Sequence, residues 1–165
     1  LRSFLVSMVV NFHNWSVLKK CFFSLSYTKS TLERVIRFYF PDSKIQKADI
    51  IFVSEEKIMG LNKQFRKKNT PTDVLTFIIS ENPLIGEIYV CPEYISKKYD
   101  EREVLRSVIH GFLHLEGYEH SGNFQEEDFS NEEMFVKQEN ILQNIWYEIN
   151  SRSGKPRRKI SADKA

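Results

Sequence analysis

The sequence predicts an α+β domain, a small mixed sheet of about four strands packed with helices. Three observations predict it. Short runs rich in β-branched and aromatic residues fall at 8–12, 48–54, 73–79 and 85–91. Amphipathic helical patterns stand between and after them, the strongest at 101–117 and 132–149. Hydrophobic residues make up 41% of a 165-residue chain, enough for one compact core and too little chain for two ordinary domains.

Each element has a local reason. MVVNF (8–12) reads as a short strand. TKSTLERVIRFYF (28–40) reads as an amphipathic helix that Ser30 or Thr31 caps and Pro41 stops. ADIIFVS (48–54) is apolar and β-branched enough for a buried strand. Ser54 followed by Glu55 and Glu56 is an N-cap signal, since a hydroxyl and negative charge both suit a helix start. The helix it opens carries Ile58, Met59, Leu61 and Phe65 at helical spacing and ends in the basic stretch KQFRKKN. Thr70-Pro71-Thr72 forces extended chain into the strand DVLTFII (73–79), and a loop through Asn82-Pro83 leads to the strand IGEIYVC (85–91). There Ile88 and Val90 share one face. Pro92 opens a short helical piece at 93–99. EREVLRSVIHGFLHLEG (101–117) has acids in its first turn and Gly117 as its stop. A polar, acidic loop at 121–130 precedes a last helix at 132–149 with Met134, Phe135, Ile141, Leu142, Ile145 and Ile149.

Composition narrows the function classes. Cys21 and Cys91 lie far apart and form no C-x-x-C pair, so neither a thiol redox motif nor a cysteine metal site is indicated, and a reducing cytoplasm suits them. No stretch approaches the roughly 18 apolar residues of a membrane span. Phe4 to Val10 is apolar but short, interrupted by Ser7, and lacks a cleavage site, so it is not read as a signal peptide. Met8 is a candidate start, which would make residues 1–7 a non-native extension of a domain at 8–150. Residues 151–165 read as a basic, disordered tail. Arg152, Lys155, Arg157, Arg158, Lys159 and Lys164 face one acid there, Asp163, whereas the rest of the chain is mildly acidic. Such a tail is an electrostatic handle for nucleic acid or a solvated end.

Three of the four histidines fall in HGFLHLEGYEH. His110 and His114, four apart on a helix, stack on one face, so two imidazoles can reach one ion. Gly117 can turn the chain back so that His120 supplies a third ligand. Three histidines with an open fourth position describe a catalytic zinc site, one Zn2+ per chain, although the ligand type also admits nickel, copper or iron. His13 has no partner pattern and reads as structural. Zinc peptidases of the H-E-x-x-H type share the spacing, but their glutamate base is here Gly111, which cannot take a proton.

HGFLHLEGYEH resembles the signature of the YbeY family of bacterial rRNA-maturation endoribonucleases, H-G-x-L-H-L-x-G-Y-D-H. LNKQFRKKNTPTDVLTF (61–77) is similar to that family's LN-x-x-FR-x-x-x-x-PTDVLSF block, and GEIYVCPE (86–93) to its G-[DE]-I strand. Met134 sits where the family has a methionine early in the last helix. Glu119, Thr76 and Ile78 depart from the pattern, but no departure removes a histidine or the arginine. The resemblance implies metal ligation by His110, His114 and His120 and a functional Arg66 near the metal. It also implies a site in a cleft beside the sheet, and processing of ribosomal RNA, notably the 3′ end of small-subunit 16S RNA.

Arg66 lies in a patch with Lys63, Lys67 and Lys68 around Phe65. Its planar fork can pair two phosphate oxygens, which a lysine cannot do. The expectation is a zinc-dependent, single-strand-specific endoribonuclease in which Arg66 and His114 are catalytic and Asp73 and Glu87 are candidate proton carriers. Its partners would be rRNA and the small ribosomal subunit with its proteins, with no DNA or membrane partner. The alternative is a non-catalytic ribosome-assembly factor that binds rRNA and small-subunit proteins around a mainly structural metal. A zinc peptidase is the third reading, weakened by Gly111.

Overall fold

A computed structural model describes residues 7–120 and 133–152 of the chain. The elements run β1 (Val9–His13), α1 (Trp15–Cys21), α2 (Lys29–Tyr39), β2 (Ile45–Phe52), α3 (Glu55–Arg66), β3 (Val74–Glu81), β4 (Leu84–Val90), α4 (Pro92–Ser96), α5 (Glu101–Leu115) and α6 (Glu133–Arg152). The expected loop at 121–130, residues 1–6 of the expected N-terminal extension and the tail from 153 onward lie outside the described residues.

The four strands form one mixed sheet in the order β1-β2-β4-β3, with β1, β2 and β4 parallel and β3 antiparallel to β4. Strand alternation divides the side chains between two faces. Val10, Ala48, Ile50, Phe52, Ile88 and Val90 are buried on one face, in a core with Val104, Val108 and Phe112 of α5 and Leu142 and Ile145 of α6. Each fully buried Ile, Val or Phe removes enough apolar surface from water to favour folding by about 1.5–3 kcal/mol. The other face carries Asn11, Lys47, Asp49, Glu87 and Tyr89, with Asn11 registered on Asp49 and Asp49 on Glu87. There α3 covers a smaller cluster of Val53, Ile58, Leu75 and Cys91.

Helix α5 approaches the sheet closely because glycines open the space. A Cβ on Gly111 would stand 2.6 Å from Ile88 Cγ2, and a Cβ on Gly86 would stand 2.3 Å from Leu115 Cδ2. Helix and strand thus each offer a glycine notch to the other's branched side chain. This contact sets the height of α5, and hence of its histidines, above β4.

The expected elements are present with shifted ends and one addition. The added element is α1, whose N-cap Asn14 is left-handed (φ 59) and makes no side-chain cap bond. The α2 cap is Thr28, ahead of both expected candidates, its hydroxyl accepting from Thr31 N at 3.2 Å. β2 begins at Ile45 rather than 48, because Gln46 and Lys47 face away from the core and hide its start. The short helix after Pro92 ends at Ser96, and α6 continues to Arg152, beyond the expected end at 149. Ser54 caps α3 as expected, accepting from Lys57 N at 3.2 Å.

Candidate metal centre

Helix α5 starts on Asp100, whose carboxylate accepts from Arg102 N at 2.9 Å, with Glu101 and Glu103 in the positive first turn. It ends in a Schellman turn. Gly117 takes φ +95, its N–H reaches His114 O at 3.0 Å, and the N–H of Tyr118 reaches Leu113 O at 3.0 Å. Glycine is needed at 117 because that φ strains any side chain. The reversal serves the site twice. It returns the chain so that His120 meets the helix, and it turns the Tyr118 carbonyl toward His114 Nδ1, 3.0 Å away.

The three histidines converge. The His110 and His114 Nε2 atoms are 3.0 Å apart. His120 closes the group, with ring centroids 5.5 Å from His110 and 5.2 Å from His114. One ring nitrogen from each of the three lies within 4.8 Å of the others, so the trio could hold a metal ion. His114 faces a carbonyl, which only accepts, so its Nδ1 bears the proton and its neutral Nε2 presents a lone pair. Zinc at nitrogen distances of about 2.0–2.1 Å in tetrahedral geometry holds neighbouring nitrogens roughly 3.3 Å apart. The observed pair is close to that spacing, and the donor set fits a zinc-sized cation.

The electrostatics favour bare imidazole over imidazolium. Burial, then the charge of His110 and His120, pushes His114 down to about 4, and Arg66 adds to the effect. Burial also lowers His110, opposed by its contact with Gln138 and by the Asp73 charge. Both rings are therefore neutral at pH 7, the form in which histidine binds a metal.

Arg66 is brought within electrostatic reach of His114. It is the exposed last residue of α3, and Lys67 closes the helix in a left-handed cap at φ 59. Buried Asn62 ties the following loop back, its amide donating to Thr70 O at 2.9 Å. Lys63, Lys67 and Lys68 are exposed beside it.

The two candidate proton carriers separate. The Asp73 charge is felt at His110, but its Oδ1 accepts from Val74 N at 2.9 Å and Thr72 Oγ1 at 3.1 Å, which holds the entry to β3. Glu87 lies on the sheet face opposite α5, because its neighbours Gly86 and Ile88 are the residues that meet that helix. It accepts a hydrogen bond from Tyr89 Oη at 2.7 Å and takes no part in the histidine site. Sequence reading missed Gln138, whose Oε1 lies 2.7 Å from His110 Nδ1. One signal marked it: a glutamine at helical spacing among Met134, Ile141, Leu142 and Ile145, on an otherwise apolar stripe.

Comparisons with known proteins converge on one family. A family model described as Endoribonuclease YbeY matches residues 18–146. A protein of that name from Thermotoga petrophila is 41% identical over 133 residues, covering 77% of this chain and 84% of the relative. Another from Onion yellows phytoplasma is 34% identical over 151 residues, covering 84% and 94%. The solution structure of a Thermotoga maritima protein, 31% identical, aligns with a TM-score of 0.55 over 94% of this chain and all of that one. Among the described residues no helix is long and apolar enough to cross a membrane.

Proposed function

The chain belongs to the YbeY endoribonuclease family, and from that membership we propose that it is a zinc-dependent, single-strand-specific endoribonuclease of rRNA processing. Its substrate in this reading is small-subunit 16S rRNA near the 3′ end. It works in the cytoplasm, in contact with the small ribosomal subunit and its proteins.

The observation that carries the reading is the joining of two half-sites from distant segments. A histidine trio that could hold one metal ion, with burial lowering His110 and His114, lies within electrostatic reach of an exposed arginine. His110, His114 and His120 are the ligands, the first two through Nε2. Zinc in such a site supplies Lewis acidity toward a phosphoryl oxygen and toward water. Arg66 binds two phosphate oxygens through its planar fork and stabilises the charge that grows on them during displacement. Asp73 holds the loop between Arg66 and β3 and keeps negative charge near His110. Lys63, Lys67 and Lys68 attract the RNA backbone without selecting sequence.

The test compares cleavage of a single-stranded RNA by zinc-loaded, chelated and His114→Ala protein. Cleavage by the loaded protein alone is expected. Equal cleavage in all three would mark a contaminating nuclease and move the reading to the assembly factor with a structural metal. The Gly111 position, which offers no carboxylate base, is the observation on that side.

A further inference from the structure

We infer that Gln138 is a positioning residue for His110, held in its working orientation by a relay through Glu139 and Arg106. The inference rests on the reading of His110 as a metal ligand.

Gln138 is 5% exposed and sits on the core stripe of α6. A buried amide there is costly unless its polar atoms are matched. Both ends are matched, and by partners that fix which end is which. The Gln138 Nε2 donates to Glu139 Oε1 at 3.2 Å. A carboxylate only accepts, so the amide nitrogen must face Glu139 and the amide oxygen must face His110. His110 Nδ1 therefore donates to Gln138 Oε1 at 2.7 Å. The proton is then on Nδ1, and the Nε2 lone pair points at the nitrogen of His114, 3.0 Å away.

Glu139 is itself held. Arg106 donates to it from Nε at 2.7 Å and from Nη2 at 3.3 Å, a two-pronged contact, while Nη1 of the same guanidinium pairs with Glu103. Arg106 lies one turn before His110 on α5. The relay thus leaves α5 at Arg106, crosses to α6 through Glu139 and Gln138, and returns to α5 at His110. It spans the one interface where the two helices pack. A carboxylate at the end of the chain decides the amide, the amide decides the imidazole tautomer, and the tautomer decides whether a lone pair or an N–H faces the centre. A flipped amide would present N–H to Nδ1 and turn the ring's own N–H toward His114. Partners of this kind typically change metal affinity about 10–100-fold when removed.

The test uses the full chain with Gln138→Leu and Gln138→Glu. Nitrogen NMR of the metal-free protein reads the His110 tautomer, and chelator competition reads zinc affinity. Thermal unfolding checks that each variant is folded. Wild type should show the Nδ1–H tautomer. Gln138→Leu should lose that preference and bind zinc about 10–100-fold more weakly. Gln138→Glu, which still accepts from Nδ1 but loses the bond to Glu139, should keep the Nδ1–H tautomer. The inference is overturned if folded Gln138→Leu keeps the wild-type tautomer and affinity, or if Gln138→Glu loses the Nδ1–H tautomer as fully as Gln138→Leu does. A wild type that takes up no zinc would overturn the ligand reading, and the tautomer shift would still decide the relay.

Discussion

The Cβ that Gly111 lacks would overlap Ile88, lying 2.6 Å from Cγ2 and 2.9 Å from Cγ1. The position after the first histidine therefore points into the sheet. A glutamate there, as in H-E-x-x-H peptidases, would meet the buried face of β4 instead of the histidine centre. Gly111→Ala should destabilise the protein by about 1–3 kcal/mol, the usual cost of overpacking. Denaturant melts check this. In a double-mutant cycle, Ile88→Ala should relieve part of that cost. Strict additivity would show that α5 does not rest on this contact.

Arg66 is exposed, and its contribution is expected in the reaction alone. Arg66→Ala should leave stability within about 0.5 kcal/mol, as for other surface changes. RNA cleavage should fall about 10²–10³-fold, the scale for losing one preorganised charge-stabilising group. Arg66→Lys should not restore the rate, because a point charge cannot reproduce a two-pronged contact. A lysine variant with wild-type kcat would reduce Arg66 to general electrostatics.

Metal content should follow the histidines. Elemental analysis of the native protein should give one zinc per chain, and His114→Ala or His120→Ala should remove it. Chelation should abolish cleavage and added zinc should restore it. A full zinc complement in His120→Ala would leave only the helical pair as ligands.

Asp49 sets an acid limit on the sheet. Burial works to raise its carboxyl, but hydrogen bonds from His13, Asn11 and Lys47 outweigh that and hold it below its ordinary value. The contacts are 2.9 Å to His13 Nε2, 3.0 Å to Asn11 Nδ2 and 3.1 Å to Lys47 Nζ. Glu87 is its register neighbour, and the Asp49 charge adds to the burial and Glu87 effects that raise Tyr89 to about 12. A carboxyl depressed by folding stabilises the native state above the unfolded value, near pH 4, and loses that contribution as pH falls through the folded value. Asp49→Asn should cost about 1–3 kcal/mol at neutral pH. The difference from wild type should narrow below about pH 4. A pH-independent difference would assign the loss to packing.

Much of this was legible in the sequence, for identifiable reasons. The convergence of His110 and His114 was legible because helical spacing alone puts them on one face, and Gly117 announced the reversal that brings His120 back. Arg66 stood out from its neighbouring lysines only beside the motif blocks, since spacing does not reveal that the end of α3, with its following loop tied back by Asn62, comes within electrostatic reach of His114. α1 escaped because a seven-residue helix with one buried residue, Leu18, and no side-chain cap leaves almost no pattern. Glu87 was misplaced because its distance from the histidines depends on strand parity, which the pairing with α5 fixes and the motif does not. Gln138 was hidden because its meaning needs two partners, one from α5 and one next to it in sequence.

The turn at Gly117 has a thermodynamic consequence. An ion held by residues 110, 114 and 120 would close a loop of about ten residues, whose closure entropy is only about 2 kcal/mol. It would cross-link none of β1, β2 or α6 to anything else. So short a ligand set can also gather around the ion in the unfolded chain, and binding to both states cancels much of the stabilisation that mass action would give. Such an ion would add little to the stability of the fold, and its removal should silence the site while barely moving the melting temperature.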